Sequence, residues 1–501
     1  MCASALCPLA ADAEPFRIVP SIAILETLTN NVNLAPAGET QSDLVTQITP
    51  SVAFSESGRR FSLNGSISVP ILLYARTGSE HNQTYVNGFV AGHVEAIERF
   101  FFVEASAFAS QQFISPFGPQ PQTLANASQN RYTNVTYTLS PYIKGVTDGN
   151  LEYIVRDDNT WTTAYNTGGA SFNDSYYNNL VARISRAPTP FGWSAEYDRT
   201  AVTFNTQDPL LTQLARLRGY HQIDRQLQLN ADVGYEDNDY TFSHYRGAIY
   251  GVGGTWRPTD RTNLDAWWEH RFFGSSYMVN FTHRMPRSLW SVSASRGITT
   301  YPQQLAALPG GFDTAAYLNQ LFLTAIPDPA QRQAFIDQFI RDRGLPTSTA
   351  GPVAVYSQQI SLQEQASATI GLLGSRNTIL LSVFYLRQQP ITAAGNELPG
   401  FLNSLNNNTQ VGSNITWTHN FPRNVLFALS GTFNRTESNL PSDAPGFAGT
   451  TRQAYTTATL TVPVAANTFM NGGVRYSVFR SSIGPGYTEA AVFVGLNHTF
   501  R

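Results

Sequence analysis

The chain has 501 residues, of which 13% are charged and 12% aromatic, and its formal net charge is −3. About a quarter of the residues in a typical soluble domain are charged, so this chain lacks the charged surface of a soluble enzyme. Its longest apolar run, residues 379–386, is far shorter than the roughly 18 residues of a membrane-spanning helix, and its acidic balance gives nucleic acid no electrostatic attraction.

The first 13 residues have features of a secretory signal peptide. The segment Ala11-Asp12-Ala13 has the small residues of a signal-peptidase site, although the region before it is short and lacks a basic start. Both cysteines, Cys2 and Cys7, lie in this region, so the rest of the chain has no thiol for a disulfide, a metal or catalysis. We therefore expect residues 1–13 to be a signal-peptide remnant and residues 14–501 to form a single domain.

Long stretches of the following sequence alternate between apolar and polar side chains. The apolar residues of segments 44–54, 61–73, 425–433 and 470–478 each fall on one face of an extended strand. A strand with lipid on one face and water on the other must alternate in this way. Strands of soluble β-sandwiches alternate too, but they usually run about 5–6 residues, and several stretches here are about twice as long.

The connections between these strands alternate between short turns and long polar segments. The long segments are 113–130, 157–175, 301–352, 389–408 and 437–450. Short turns at one rim and long loops at the other are typical of an outer-membrane barrel. Counting strands from Phe16 to Phe500 predicts an all-β, transmembrane antiparallel barrel of about 22 strands, within a range of 20–24. An even number of strands places both chain ends at the periplasmic rim.

Three acidic residues, Glu236, Asp237 and Asp239, lie close together in the segment 234–240. Such a cluster in a loop could bind a cation such as calcium, but it is more typical of a solvated loop tip. The histidines are scattered singly, and the chain has no nucleophile elbow, phosphate loop or zinc-protease motif. We therefore expect no enzymatic activity and no cofactor.

Residues 301–352 form the one stretch in which apolar residues recur at helical spacing. An aspartate precedes the first helical pattern, and an Asp-Pro pair begins the second, which a glycine ends. The cap and the principal apolar positions of the two patterns are Asp313, Tyr317, Leu321, Phe335 and Phe339. We predict a helical hairpin in the longest extracellular loop. The sequence leaves two placements open, as a constriction in the lumen or as a hairpin resting on the rim.

The ends of several strands have features of membrane barrels. Trp193, Trp256, Trp290 and Trp417 fall near strand ends, where an aromatic girdle is expected. The last strand alternates and ends at Phe500, as barrel proteins commonly do. We expect the barrel-assembly machinery to bind this strand.

A family resemblance is carried by four short segments: ETLTNNV at 26–32, GYEDNDY at 234–240, WRPTDRT at 256–262 and HRFFG at 270–274. They resemble outer-membrane proteins associated with PEP-CTERM systems, and the resemblance runs from about residue 16 to the carboxyl end. It implies an outer-membrane barrel encoded near exopolysaccharide and protein-sorting genes. It implies no catalytic residues.

Two functions are consistent with this sequence. The first is a porin-like channel or export conduit, because a barrel of this size has a wide lumen unless something fills it. The resemblance suggests exopolysaccharide as its cargo, and Asn, Ser, Thr and Gln on the inner face would hydrogen-bond sugar hydroxyls. The alternative is a closed structural or adhesive barrel whose long loops bind surface material. Both predict contact with outer-membrane lipid and lipopolysaccharide in a Gram-negative bacterium.

Overall fold

The computed structural model describes residues 16–165, 174–204, 207–240, 243–307, 318–319, 322, 332, 336, 351–354, 360–391, 406–440, 442–443 and 448–500. Helical segments within these ranges include α1 (Gly78–His81), α2 (Tyr301–Ala307) and a 3₁₀ turn at Pro422–Asn424. None of the helices in the described ranges is both long and apolar enough to span a bilayer.

Twenty-four strand segments form one sheet. The first twelve are β1 (Arg17–Thr29), β2 (Asp43–Ser57), β3 (Phe61–Ser68), β4 (Ile71–Tyr74), β5 (Gln83–Thr84), β6 (Asn87–Ile97), β7 (Phe101–Phe113), β8 (Arg131–Val146), β9 (Glu152–Tyr165), β10 (Ser175–Arg186), β11 (Phe191–Phe204) and β12 (Gln207–Gln222). The others are β13 (Leu227–Tyr240), β14 (Ser243–Thr259), β15 (Thr262–Arg271), β16 (Gly274–Met285), β17 (Ser288–Thr299), β18 (Ser361–Leu373), β19 (Asn377–Pro390), β20 (Asn408–Asn420), β21 (Leu426–Ser438), β22 (Thr450–Ala465), β23 (Thr468–Ser481) and β24 (Tyr487–Thr499). Neighbours pair antiparallel, and β1 pairs with both β2 and β24, which closes the sheet into a barrel.

The 24 segments make 22 barrel strands because two strands are each interrupted once. Segments β3 and β4 both pair with β2, on either side of Val69 and Pro70. Segments β6 and β5 pair with β3 and β4 in turn. Proline has no N–H to donate to a ladder, so an interruption at Pro70 has a local cause. The predicted antiparallel barrel of about 22 strands is confirmed.

Apolar side chains cover the outer face of the barrel. On β24, for example, Val492, Val494 and Leu496 are exposed, whereas Glu489 and Ala491 on the opposite face are buried. A continuous exposed row of this kind is stable in lipid and unfavourable in water. The apolar outer face and the closed antiparallel topology place the protein in the bacterial outer membrane.

The two rims differ in the way that the sequence predicts. Turns such as 58–60, 260–261, 286–287 and 466–467 join strands at one rim, and longer segments such as 114–130 join them at the other. Four outward tryptophans lie close to the short-turn rim, and they are Trp193, Trp256, Trp290 and Trp417. These positions agree with the aromatic girdle expected at strand ends.

Two expectations about loops need correction. Strand β9 continues to Tyr165, so the first half of the predicted polar segment 157–175 is strand. The acidic residues of segment 234–240 lie within β13 rather than in a loop. In both cases polar side chains occupy outward positions, where the alternation predicts apolar ones. These parts of β9 and β13 were therefore predicted as loops, because the outward residues Asp157, Asn159, Asp237 and Asp239 break the apolar alternation.

The predicted helical hairpin lies largely outside the described residues. This applies to all five of its named positions, Asp313, Tyr317, Leu321, Phe335 and Phe339, and to the signal-peptide remnant at 1–13. Besides α2, five positions in the insertion are described as helical: Leu318, Asn319, Phe322, Arg332 and Ile336. The hairpin as a whole stays a prediction.

Candidate functional site in the barrel lumen

Residues 114–130, the connection between β7 and β8, fold into the mouth of the barrel, and we call them the inner loop. The Gln120 amide donates a hydrogen bond to Oε1 of Gln453 on β22 (3.0 Å), and Nε2 of Gln453 donates to the Gln120 carbonyl (2.9 Å). Strands β7, β6, β3, β2, β1, β24 and β23 separate β8 from β22 around the barrel. The inner loop therefore lies inside the mouth along the wall from β8 to β22, against several of the strands between them.

A buried ion pair lies beneath the inner loop. Nη2 of Arg475 on β23 is 2.8 Å from Oε1 of Glu489 on β24, and the two side chains are 4% and 1% exposed. Asn126 of the inner loop accepts a hydrogen bond from Arg475 Nη2 (3.3 Å) and donates one to Glu489 Oε1 (3.4 Å). A buried ion pair is stable only when further hydrogen bonds satisfy its polar atoms. The inner loop supplies some of these bonds.

An apolar cluster holds another part of the inner loop against the wall. It contains Val32, Val45, Leu72, Tyr74, Tyr85 and Ala125. Ala125 belongs to the inner loop, and the amide of neighbouring Ala127 donates to the Val32 carbonyl (2.9 Å). Complete burial of a valine or leucine side chain contributes roughly 1.5–3 kcal/mol. The inner loop is thus fixed by apolar burial as well as by hydrogen bonds.

The described ends of the 301–352 insertion also attach to the inner wall. Tyr301 of α2 hydrogen-bonds the Tyr132 hydroxyl on β8, and Gln303 Nε2 donates to the Tyr177 hydroxyl on β10 (3.4 Å). At the other end, the Val353 amide donates to Gln410 Oε1 on β20 (2.8 Å). Both ends of the insertion therefore enter the mouth, as the inner loop does.

The wall formed by β11–β15 carries acidic and basic side chains that face the lumen. We call the following residues the inner charge cluster: Glu196, Asp198, Arg216, Arg218, Asp232, Glu236, Glu269 and Arg271. Nη2 of Arg216 is 2.7 Å from Oε1 of Glu269, and Nη1 is 3.4 Å from Oε1 of Glu196. Five carboxylates face three guanidinium groups, so this wall is rich in acceptors and net acidic.

Glycines on β14 allow these charges to meet. Arg216 lies on β12 and Glu269 on β15, so their contact passes over β13 and β14. A Cβ on Gly251 would lie 3.0 Å from Asp232 Oδ2 and 2.6 Å from the Trp268 carbonyl. The inner face of β14 must therefore stay free of side chains at this position for the cluster to form.

A cavity of about 360 Å³ separates the inner charge cluster from the beginning of the long insertion. Its lining includes Asp198, Arg216, Tyr177, Leu210 and, from α2, Gln303. Ligand pockets typically have volumes of ~300–1,000 Å³. Carboxylate, guanidinium, hydroxyl and amide groups around one space suit a small polar solute rich in hydroxyl groups.

The acidic residues that the sequence singled out do not lie together. Glu236 faces inward and pairs with Arg271 Nη2 (2.6 Å). Asp237 faces outward and lies 3.1 Å from Arg246 Nε, and Asp239 is also on the outer face. Among the described residues, no group of three or more His, Cys, Asp or Glu side chains could hold a metal ion.

The inner charge cluster and the inner loop were both missed by the sequence analysis. The cluster has a signal in the sequence, because ionised residues two positions apart lie on the same strand face. Glu196 and Asp198, Arg216 and Arg218, and Glu269 and Arg271 are such pairs. The attachment of the inner loop to β22 has no comparable local signal.

Comparisons with known proteins concern the fold. No protein-family model matches this sequence, and neither does any curated protein. A similar solved structure is the FrpB iron transporter from Neisseria meningitidis, at 8% identity and a TM-score of 0.51 over 96% of this chain and 81% of that one. Two others from Pseudomonas aeruginosa are the siderophore receptor PirA, at 9% identity, TM-score 0.44 and coverages of 97% and 81%, and OccK2, at 8%, 0.36, 96% and 98%. The likeness to FrpB supports the barrel fold.

Proposed function

We propose that the protein is an outer-membrane channel whose mouth is narrowed by its own loops and which transports polar solutes without chemical change. The observation that carries this proposal is the inner loop, which folds into the mouth and lines its wall from β8 to Gln453 on β22. A barrel of 22 strands is otherwise wide. Loops that enter the mouth reduce this width and place hydrogen-bonding groups along the remaining path.

The wall below the mouth supports the same proposal. The cavity beside the inner charge cluster presents carboxylate, guanidinium, tyrosine and amide groups to the lumen. Most side chains of the inner charge cluster form ion pairs, and these pairs order them before a solute arrives. A preorganised polar wall of this kind suits transient binding of a hydroxyl-rich solute during passage.

Exopolysaccharide is the cargo that we propose within this solute class. The resemblance to outer-membrane proteins of PEP-CTERM systems and the polar inner wall support it. Passage of a polymer through the mouth requires movement of the inner loop, because that loop reaches from β8 to β22. A glycan fragment of a few sugar units is therefore the appropriate first ligand.

We also propose that lipopolysaccharide phosphates bind to the outer face at the long-loop rim. Arg435, Arg452 and Arg480 lie directly opposite one another on β21, β22 and β23. Like charges placed opposite each other are destabilising. Glu437 offsets the charge of Arg435 (2.6 Å), and a phosphate would do the same for Arg452 and Arg480. The barrel-assembly machinery remains the partner that we propose for the last strand, ending near Phe500.

Single-channel conductance of the full chain in a planar bilayer tests the channel proposal. We expect steady conductance that fragments of the exopolysaccharide reduce in a concentration-dependent manner, because the fragments occupy the lumen. Dextran of the same size serves as a control for simple obstruction. Conductance without block would retain the channel and reject the cargo.

The alternative of a closed structural or adhesive barrel predicts a different result. Folded protein, identified by its heat-modifiable gel mobility, would then show no conductance and no uptake of small sugars into liposomes. The proposed function would be rejected by that outcome. Binding of surface polysaccharide to the silent barrel would favour the adhesive alternative.

A further inference from the structure

A patch of polar side chains interrupts the apolar outer face on β9, β10 and β11. It consists of Asp157, Asn159, Tyr176, Asn178 and Arg199, and we call it the outer polar patch. Val155 and Trp161 flank the first two residues on the same face of β9 and are 39% and 44% exposed. The patch thus points away from the lumen.

The patch is a connected hydrogen-bond network. Asn178 Nδ2 donates to Asp157 Oδ1 (2.7 Å) and to Asn159 Oδ1 (3.2 Å). Asn159 Nδ2 donates to Asp157 Oδ2 (2.8 Å), and the Tyr176 hydroxyl donates to Asn159 Oδ1 (2.5 Å). Arg199 Nη1 donates to Asn178 Oδ1 (3.4 Å). Such mutual bonding reduces the cost of removing these groups from water without eliminating their charge.

The position of the patch along the strands makes lipid an unfavourable neighbour. The two charged residues of the patch, Asp157 and Arg199, lie in the interior of their strands, at least five residues from either end. A charged side chain on the lipid face near the bilayer midplane costs about 2–4 kcal/mol for Arg or Lys, and the cost falls towards the interfaces. The outward arginines Arg435, Arg452 and Arg480, in contrast, lie close to strand ends.

We propose that the outer polar patch is the interface with a second copy of this chain. The patch carries a carboxylate, Asp157, and a guanidinium, Arg199, and within it the guanidinium contacts the Asn178 amide rather than Asp157. In an isologous interface a two-fold axis relates the two copies, so the same patch on each copy faces the other. The acidic end of one patch can then meet the basic end of its partner. Asp157 of each copy then pairs with Arg199 of its partner, and both charges are shielded from lipid.

The patch is therefore self-complementary, and this favours a second copy over an unlike protein. Leu180 lies near its centre, directly opposite Asp157 on one side and Arg199 on the other. Two copies that pair through the patch would bring their Leu180 positions close to the symmetry axis. This position is suited to a crosslinking test.

The test determines the oligomeric state of the full chain, by native mass spectrometry in detergent and by crosslinking in the outer membrane. Wild type is expected to be a dimer, and the triple variant D157V/N178V/R199L a monomer, with a dimer Kd raised at least ~10-fold. The variant E437V, which changes an outward charge on β21 far from the patch, should remain a dimer. Gel mobility after heating confirms that each barrel is folded.

A cysteine at Leu180 provides an independent measurement. In a C2S/C7S background, L180C should form disulfide-linked dimers in the membrane, whereas A458C on the outward face of β22 should not. The proposal would be overturned if wild type is a monomer and the triple apolar replacement makes that monomer more stable. So would a crosslinked product with the mass of a different protein. Neither result concerns conductance, so the channel proposal is tested independently of the dimer.

Discussion

Two sides of the inner wall each contain an arginine–glutamate ion pair, but the surroundings of the two pairs differ. On β23 and β24, Arg475 and Glu489 are 4% and 1% exposed beneath the inner loop. On β11 and β12, Glu196 and Arg216 are 27% and 13% exposed and line a cavity. The first pair is covered by protein, whereas the second remains accessible from the lumen.

This difference separates a structural role from a binding role. The covered pair hydrogen-bonds Asn126 of the inner loop, so it helps to hold that loop against the wall of the mouth. The accessible cluster meets any solute that enters the cavity. We therefore expect substitutions on β23 and β24 to change stability and gating, and substitutions on β11–β15 to change selectivity.

The largest expected effect is on stability, from replacement of Glu489 by alanine. Arg475 would then be buried without a counter-charge, which typically costs 3–5 kcal/mol. We expect a loss of about 3 kcal/mol, because water entering beside the inner loop relieves part of the cost. Urea unfolding of the barrel in lipid vesicles measures the change.

Glu437→Ala is the matched control, because Glu437 pairs with Arg435 in an exposed position on the outer face. An exposed ion pair contributes about 0–1 kcal/mol. Equal losses in the two variants would contradict the view that the inner loop seals the Arg475–Glu489 pair.

The second effect is on conductance, from replacement of Gln453 by alanine. This removes both hydrogen bonds to the backbone of Gln120, and each such bond contributes about 1 kcal/mol. The inner loop should leave the wall more often, so we expect larger and noisier single-channel currents. Thr456→Ala, an outward change on the same strand, should leave the currents unchanged.

The smallest effect is on ion selectivity, from replacement of Asp198 by asparagine. The variant keeps the shape of the side chain and removes one carboxylate from an acidic wall. We expect the permeability ratio of cations to anions to fall by about twofold, a modest change because screening by salt weakens a single charge. Reversal potentials in a salt gradient measure this ratio. An unchanged ratio would contradict the view that the Asp198 carboxylate acts on ions in the lumen.

Much of the fold could be predicted from the sequence because lipid and water impose alternation on every strand. The prediction failed where that rule is broken on the outer face. Asp157 and Asn159 made part of β9 resemble a loop, and Asp237 and Asp239 did the same on β13. These failures have a physical meaning, since polar outward residues require a neighbour other than lipid chains.

The lumen was less predictable than the barrel itself. Gln120 and Gln453 are 333 positions apart, and only closure of the barrel brings them together. The contact between Arg216 and Glu269 depends on strand register and on the space that Gly251 leaves. From the sequence we considered a constriction only in the 301–352 insertion, with the rim as the alternative placement, whereas the described structure shows that the inner loop also folds into the mouth.

The most direct test of the account is the conductance of a variant in which a short Gly-Ser linker replaces residues 117–129. If the inner loop narrows the mouth, folded barrels of this variant should conduct several times more current than wild type and admit larger sugars into liposomes. The account would be contradicted if the variant conducts no more current than wild type and its size limit for sugars is unchanged, because the inner loop would then have no role in limiting passage.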